Sequence, residues 1–404
     1  MNLLDKILPG KPSHRAFADT MMRAFEAAGV RNLEYREAAF ALKIPGKNAT
    51  VFLENSYSAY CGVPRKKRQS VITKLVASFT SIPEIPSDFA TAKSALMPVV
   101  RDAAYYGLTE LISRKKGIRD PDLEVQVKPL VSGLVVGLAY DSEHSITSVN
   151  RKQLEEWGAG LDEAFAAAKD NLWEKTDPNR LEGKGGVYWG QWGDSYDSSR
   201  LLLTELMYRL SVDGDPVAFV PNRDVLLVTG KDNVAGLNAI LKTGAESHFN
   251  QGHPVSPDLY VLVDGVWQVY VPEDAALREM WLSLRRNRDA LDYGQQKKIL
   301  DELHEQQGID IFVASYQVYE RNDGRACSSC VWSNGVDSTL PRAETIGFVV
   351  SVEDEDMFVV PWEAAMPVAG SLLEEEPGLV PVRYRARQFP SVEQIAQLRE
   401  LASW

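Results

Sequence analysis

The chain reads as an α+β protein, with mixed or antiparallel sheets, flanking helices and a smaller α+β domain at its C-terminal end. Three observations predict this. Apolar residues recur at helical spacing in several segments that open with a capping residue. Tyr260 to Val263, Asp264-Gly265 and Val266 to Tyr270 form a hairpin signature with the Asp-Gly pair that type I′ turns demand. After Gly308 a run of strand and turn signals, closed by a helix that Ser391 can cap, sets off the smaller domain.

The elements follow in order. Ser13 can cap a helix to about Gly29, with Phe17, Met21, Phe25 and Ala28 on one face. Phe40, Leu42 and Ile44, then Val51 and Leu53, flank Pro45-Gly46-Lys47-Asn48 as a hairpin. Val71, Leu75, Val76 and Phe79 predict a helix that Pro83 and Pro86 end, and Val99 to Ser113 predicts another. Val125 to Val131 and Leu134 to Tyr140 read as strands split at Ser132-Gly133. Helices follow from Asn150 to about Trp157 and from Leu161 to Trp173, then a loop-rich stretch over 174–193.

Ser195 to Leu210 is expected as one helix, with Leu202, Leu203, Leu206, Met207 and Leu210 on a stripe. Val217 to Val220 and Val225 to Val228 read as buried strands, and Asp232 can cap a helix ending near Gly244. Pro272 to about Gln307 is long, charged and helical, as one helix or as two broken near Tyr293-Gly294. Strands are expected at Ile311 to Arg321, Ala326 to Trp332, Thr345 to Val350, Met357 to Val360 and Val380 to Ala386. The expected division is 1–190, 191–307 and 308–404.

A length of 404 residues fits two or three domains, at roughly 100–200 residues each. A net charge of −12 argues against broad affinity for nucleic acid or anionic membranes, since both need a positive field. No apolar run approaches the ~20 residues a membrane span requires. Asp5 and Lys6 interrupt Met1 to Gly10, so no signal peptide is expected there. Three cysteines, at 61, 327 and 330, fit a reducing cytoplasm better than a disulfide scaffold.

The segment Asp194 to Gly230 carries the main site candidates. Asp194 is the expected N-cap, with Asp197 in the first turn. Asp197 and Arg200 open the expected helix, and Asn222, Arg223 and Asp224 interrupt two apolar runs. Free N–H groups at a helix start attract anions, and two arginines can grip a phosphate or carboxylate. The plainer reading makes Asp197 a cap and Arg223-Asp224 a turn or ion pair. Asn55 and Tyr57, after a strand, offer hydrogen-bonding tips, although such residues more often cap and pack a helix. Cys327 and Cys330 form a C-x-x-C, but no second pair completes a zinc set, so no metal is expected and the thiols read as strand residues. No H-E-x-x-H, G-x-S-x-G, phosphate-loop or dinucleotide fingerprint is present, and no cofactor is implied.

Several segments in order resemble the YtpQ-like bacterial proteins of unknown function. They are Leu53-Glu54-Asn55-Ser56-Tyr57, Leu96-Met97-Pro98-Val99-Val100-Arg101, Asn171-Leu172, Asp197-Ser198-Ser199-Arg200-Leu201-Leu202 and Val220-Pro221-Asn222-Arg223-Asp224-Val225-Leu226. The resemblance covers about residues 10–270 and leaves the C-terminal part unmatched. It implies a cytoplasmic bacterial protein and carries no activity. The expected function is a non-enzymatic ligand- or protein-binding protein. The alternative is a cofactor-independent, hydrolase-like enzyme acting on a small anionic substrate through Asp197, Arg200, Arg223 and Asp224.

Overall fold

Local chemistry sets the ends of many elements in the computed structural model, which describes residues 11–37, 40–44, 49–80, 85–115, 117, 124–142, 145–250, 252–321 and 324–402. The chain forms two units that interleave in sequence. One takes Met1–Met97, Ala139–Val149 and Gln153–Asn171; the other takes Pro98–Leu138, Asn150–Lys152 and Leu172–Trp404. Helices and mixed sheets together give the α+β class.

In the smaller unit Ser13 accepts from the Ala16 amide at 3.2 Å and starts the helix His14–Ala27. Phe17, Ala18, Met21 and Phe25 are buried on its inner face. They pack on an antiparallel sheet of Glu34–Arg36, Ala41–Ile44 and Ala49–Phe52, in which Leu42 faces Val51. The expected loop Pro45 to Asn48 lies outside the described residues. The helices Glu54–Gly62 and Arg68–Thr80 complete this core with Ile72 and Val76.

The larger unit holds a six-stranded antiparallel sheet. Its order is Val266–Tyr270, Leu259–Val263, Pro216–Phe219, Leu227–Gly230, Val187–Gly190 and Leu181–Lys184. Asp264 and Gly265 both have positive φ, at 49° and 79°, as the expected type I′ turn requires. The last two strands correct the loop expected over 174–193. Gly185 and Gly186, at φ 62° and 72°, turn that stretch into a hairpin. The helix Val234–Asn250 covers the sheet closely, for a Cβ on Gly244 would meet the Phe219 ring at 2.1 Å. Charged Pro272 to Gln307 resolves as one helix, Ala275–Gln307, capped by Asp274 and stopped by Gly308 at φ 65°. Its Leu277, Trp281 and Leu284 join the sheet core.

Two further sheets lie in the C-terminal part. Gln317–Glu320, Ala326–Ser333, Thr345–Ser351 and Asp356–Pro361 form one, with its middle pair parallel. Phe312–Val313, Ser338–Pro341, Arg383–Ala386 and Leu373–Glu375 form the other. Trp332, Phe348, Trp362 and Leu398 are buried together. Ser391 begins the final helix, Val392–Glu400, with a capping box to Gln394. Among the described residues no helix is long and apolar enough to cross a membrane.

Three helix expectations change. The helix expected from Asp232 to near Gly244 is Val234–Asn250; Asn233 Oδ1 accepts from the Gly236 amide at 2.8 Å in its first turn, and Gly244 does not stop it. Val99 to Ser113 divides into the strand Leu96–Asp102 and the helix Ala103–Lys115. Asp102 makes the break, because its Oδ1 accepts from the Ala104 amide at 2.8 Å, as a cap does. Ser195 to Leu210 is not one helix but a short 3₁₀ turn, Ser198–Leu202, followed by Thr204–Met207. Ser195 has a left-handed backbone, φ 71°, and Leu203 sits at φ −95°, ψ 65°, so neither continues an α-helix.

Candidate functional site

The polar centre of the larger unit assembles from four segments: the end of the strand Leu96–Asp102, residues 190–200, the turn 222–224 and the turn at His253. Asn222 builds the third. Its Oδ1 accepts from the Asp224 amide at 2.8 Å, and its Nδ2 donates to Ser247 Oγ at 2.6 Å. Fully buried, it therefore holds the turn that presents Arg223 and Asp224. The Arg223 amide donates to the His253 carbonyl at 3.1 Å, and the Ser198 amide donates to the Arg223 carbonyl at 3.0 Å. Ser199 Oγ accepts from the Val100 amide at 3.1 Å, which joins residues 198–200 to the strand that carries Arg101. His253 has a left-handed backbone, φ 63°, as does Ser195. Such strain in non-glycine residues collects at sites whose surroundings over-determine the backbone.

Arg200 is fully engaged in the fold. Nη1 and Nη2 donate to the two oxygens of Asp194 at 3.0 and 2.7 Å, and Nε donates to Thr176 Oγ1 at 3.0 Å. The Trp192 ring covers its planar face at 4.1 Å. Burial opposes the Asp194 charge, but the two bonds and field of Arg200 and the Tyr196 amide hold that carboxyl below its usual range. Arg200 thus anchors residues 192–200, and its full burial keeps it from a ligand at the surface. The short 3₁₀ turn likewise offers no long helix start of the kind expected to draw an anion.

Asp197 is buried, and among the described residues neither its Oδ2 nor the buried Ser198 Oγ has a hydrogen-bond partner. Burial, reinforced by Asp194 and Asp224 and opposed by Arg200 and the Trp192 amide, pushes Asp197 up to about 6. Gly190 makes room for it, since a Cβ there would lie 2.6 Å from Asp197 Oδ1 and 2.5 Å from the Trp192 ring.

Arg101 and His253, which the sequence reading passed over, complete the centre. Arg101 is half-buried, donates from Nη1 to its neighbour's carbonyl at 2.8 Å, and makes no ion pair with a carboxylate among the described residues. Partial burial pulls its guanidinium down from its ordinary value; Tyr106 opposes that shift and nearby Arg223 adds to it. Among the described residues the Arg223 side chain pairs with its neighbour Asp224, at 3.3 Å, and both remain partly exposed. Partial desolvation, then Arg223 and Arg101, push the His253 imidazole down to about 4 against the pull of Asp224, so it is neutral at pH 7. Burial pushes the Tyr106 hydroxyl up to about 12, although Arg101 pulls it back. One signal for Arg101 was present: it closes the apolar run Leu96 to Val100, yet within an expected helix it reads as a surface residue.

The other candidates lie elsewhere. Tyr57 belongs to the smaller unit, where its hydroxyl donates to the Pro12 carbonyl at 2.7 Å and its ring packs among His14, Phe17 and Phe40. Asn55 is the second residue of the helix Glu54–Gly62, with its side chain outside the described residues. Cys327 and Cys330 are free, buried thiols three apart on one strand, so they point to opposite faces. Burial pushes Cys330 up to about 12, which makes it a poor nucleophile or ligand. No group of three or more His, Cys, Asp or Glu among the described residues can hold a metal ion. No family model, no curated protein and no solved structure matches this chain.

Proposed function

We propose that this chain binds a small oxyanion, a phosphate or carboxylate, at Arg101 and Arg223. The observation that carries the reading is the half-buried Arg101 guanidinium with no carboxylate beside it among the described residues. A cation withdrawn from water is stabilised by a partner charge, and here the cation acting on Arg101 is another arginine, Arg223. A bound oxyanion supplies that charge and matches the planar donor fork of arginine. Neutral His253 adds a hydrogen-bonding edge. The exposed pair with Asp224 contributes about 0–1 kcal/mol, so a ligand displaces it at small cost.

Calorimetric titration with inorganic phosphate, sulfate and small carboxylates tests this directly. Saturable binding that Arg101→Gln removes supports the reading. Absence of binding by all these anions sinks it. A second reading, hydrolase-like catalysis, draws on Asp197 alone, a carboxyl with one unpartnered oxygen that titrates near 6, in the range of a general base. It requires residues 192–198 to open, because that oxygen is sealed from solvent. We also infer a cytoplasmic setting, supported by three free cysteines, and keep the YtpQ-like kinship as part of this proposal.

A further inference from the structure

A second charged network, separate from the anion site, lies along the helix Ala275–Gln307. Arg285, Arg288, Asp289 and Asp292 fall at i, i+3, i+4 and i+7, which is one stripe of a helix. Two more aspartates meet this stripe from other elements. Asp102 opens the helix Ala103–Lys115, and Asp258 precedes the strand Leu259–Val263. Arg288 serves two of the four. Its Nη2 donates to Asp102 Oδ2 at 3.0 Å, and its Nε lies 2.7 Å from Asp292 Oδ2, off the hydrogen-bond axis. Arg285 Nε reaches Asp258 Oδ1 at 3.3 Å, and the same oxygen accepts from Trp281 Nε1 at 3.0 Å. Asp289 makes no hydrogen bond or ion pair among the described residues.

Four carboxylates thus share two guanidiniums. The surrounding groups do not restore the balance. Arg286, next on the helix, is taken by Glu344 at 2.8 Å and Glu279 at 2.6 Å. Tyr260, Tyr293 and Tyr316 face the cluster as neutral phenols, each held above its ordinary range chiefly by burial. With all four aspartates ionised the site carries two uncompensated negative charges in a partly buried space, and like charges so placed draw in a proton.

We propose that this network is a pH-operated clasp: with a proton held among the four aspartates it fastens the long helix to the segments of Asp102 and Asp258, and with that proton lost it loosens. The titration of its members agrees. Burial, with Asp258, Asp292 and Asp102 adding to it and Arg285 opposing, pushes Asp289 up to about 7. Burial pushes Asp292 up to about 6 against the pull of Arg288, and raises Asp102 and Asp258 as well. A carboxyl whose folded pKa is raised favours the fold below its ordinary range. That advantage goes as the pH climbs through the folded value, here near neutrality.

Hydrogen exchange of the full chain at pH 6 and pH 8, corrected for intrinsic rates, tests the clasp. Amides in 99–106, 256–260 and 285–293 should exchange about tenfold faster at pH 8, the change that one pKa unit carries. The strand Thr345–Ser351 should serve as the unchanged control. Asp289→Asn, neutral at both pH values, should abolish the acceleration. Asp258→Asn removes one charge from a different element and should shrink it, so the idea remains testable if the first variant folds poorly. Equal protection of the wild type at both pH values overturns the clasp, and so does an acceleration that survives in both variants.

Discussion

Arg200 is fully buried and Arg101 half-buried, yet among the described residues Arg200 alone of the two pairs with a carboxylate. Opposite consequences follow from substitution. Arg200→Ala leaves Asp194 without its partner and opens space under Trp192, and should cost about 3–5 kcal/mol in urea unfolding, as for a broken buried pair. Arg101→Gln should move the unfolding free energy by less than about 1 kcal/mol while abolishing phosphate binding. Asp224→Asn frees Arg223 from a contact at 3.3 Å, and should tighten phosphate severalfold in calorimetry. Asp197 holds its proton more readily in the fold than in the unfolded chain, so its contribution is favourable at low pH and is lost as the pH passes about 6. Asp197→Asn should therefore leave stability almost unchanged near about pH 3 and raise it at pH 8 by about 1–3 kcal/mol, read from unfolding curves at both pH values.

At the scale of elements, Gly244 sets one contest of magnitudes. Alanine in a helix interior gains about 1 kcal/mol over glycine, whereas overpacking a filled core costs about 1–3 kcal/mol. The Cβ would stand 2.1 Å from the fully buried Phe219 ring, so the clash should win and Gly244→Ala should lower the melting temperature. Elements governed by local chemistry were legible in the sequence: the Asp264-Gly265 hairpin and the caps at Ser13 and Ser391 need only neighbouring residues. Ser195 to Leu210 misled because its leucine stripe is real burial, but the backbone there follows distant partners, the Val100 amide on Ser199 and Thr176 on Arg200. Pro98-Val99-Val100 misled for another reason, since a short apolar run fits a buried strand or a helix equally well. The site was half legible. Asn222, Arg223 and Asp224 stand together in the chain, while Arg101 and His253 reach them only through strand pairing and turns.

For the whole molecule, raised aspartates outnumber lowered imidazoles among the described residues. Asp102, Asp197, Asp258, Asp289 and Asp292 are all raised by burial, whereas His253 is lowered by it. Above about 6.5 the histidine no longer contributes a slope, and Asp289 dominates. The melting temperature should therefore fall as the pH is raised from about 6 to about 8, and calorimetry across that range checks it. A rise would mean that the aspartates are ionised throughout.

The interleaving of the two units bears on how the chain is made and how it can be divided. Synthesis delivers residues in order, yet the smaller unit is not complete until Asn171 has left the ribosome, and by then Pro98–Leu138 of the larger unit is already out. That early piece, with Arg101 on it, must wait for partners more than a hundred residues downstream, a long-range closure of the slow-folding kind. No single cleavage separates the two units intact. A fragment beginning at Leu172 lacks the strand that carries Arg101, so dissection of this protein calls for point substitutions in the full chain.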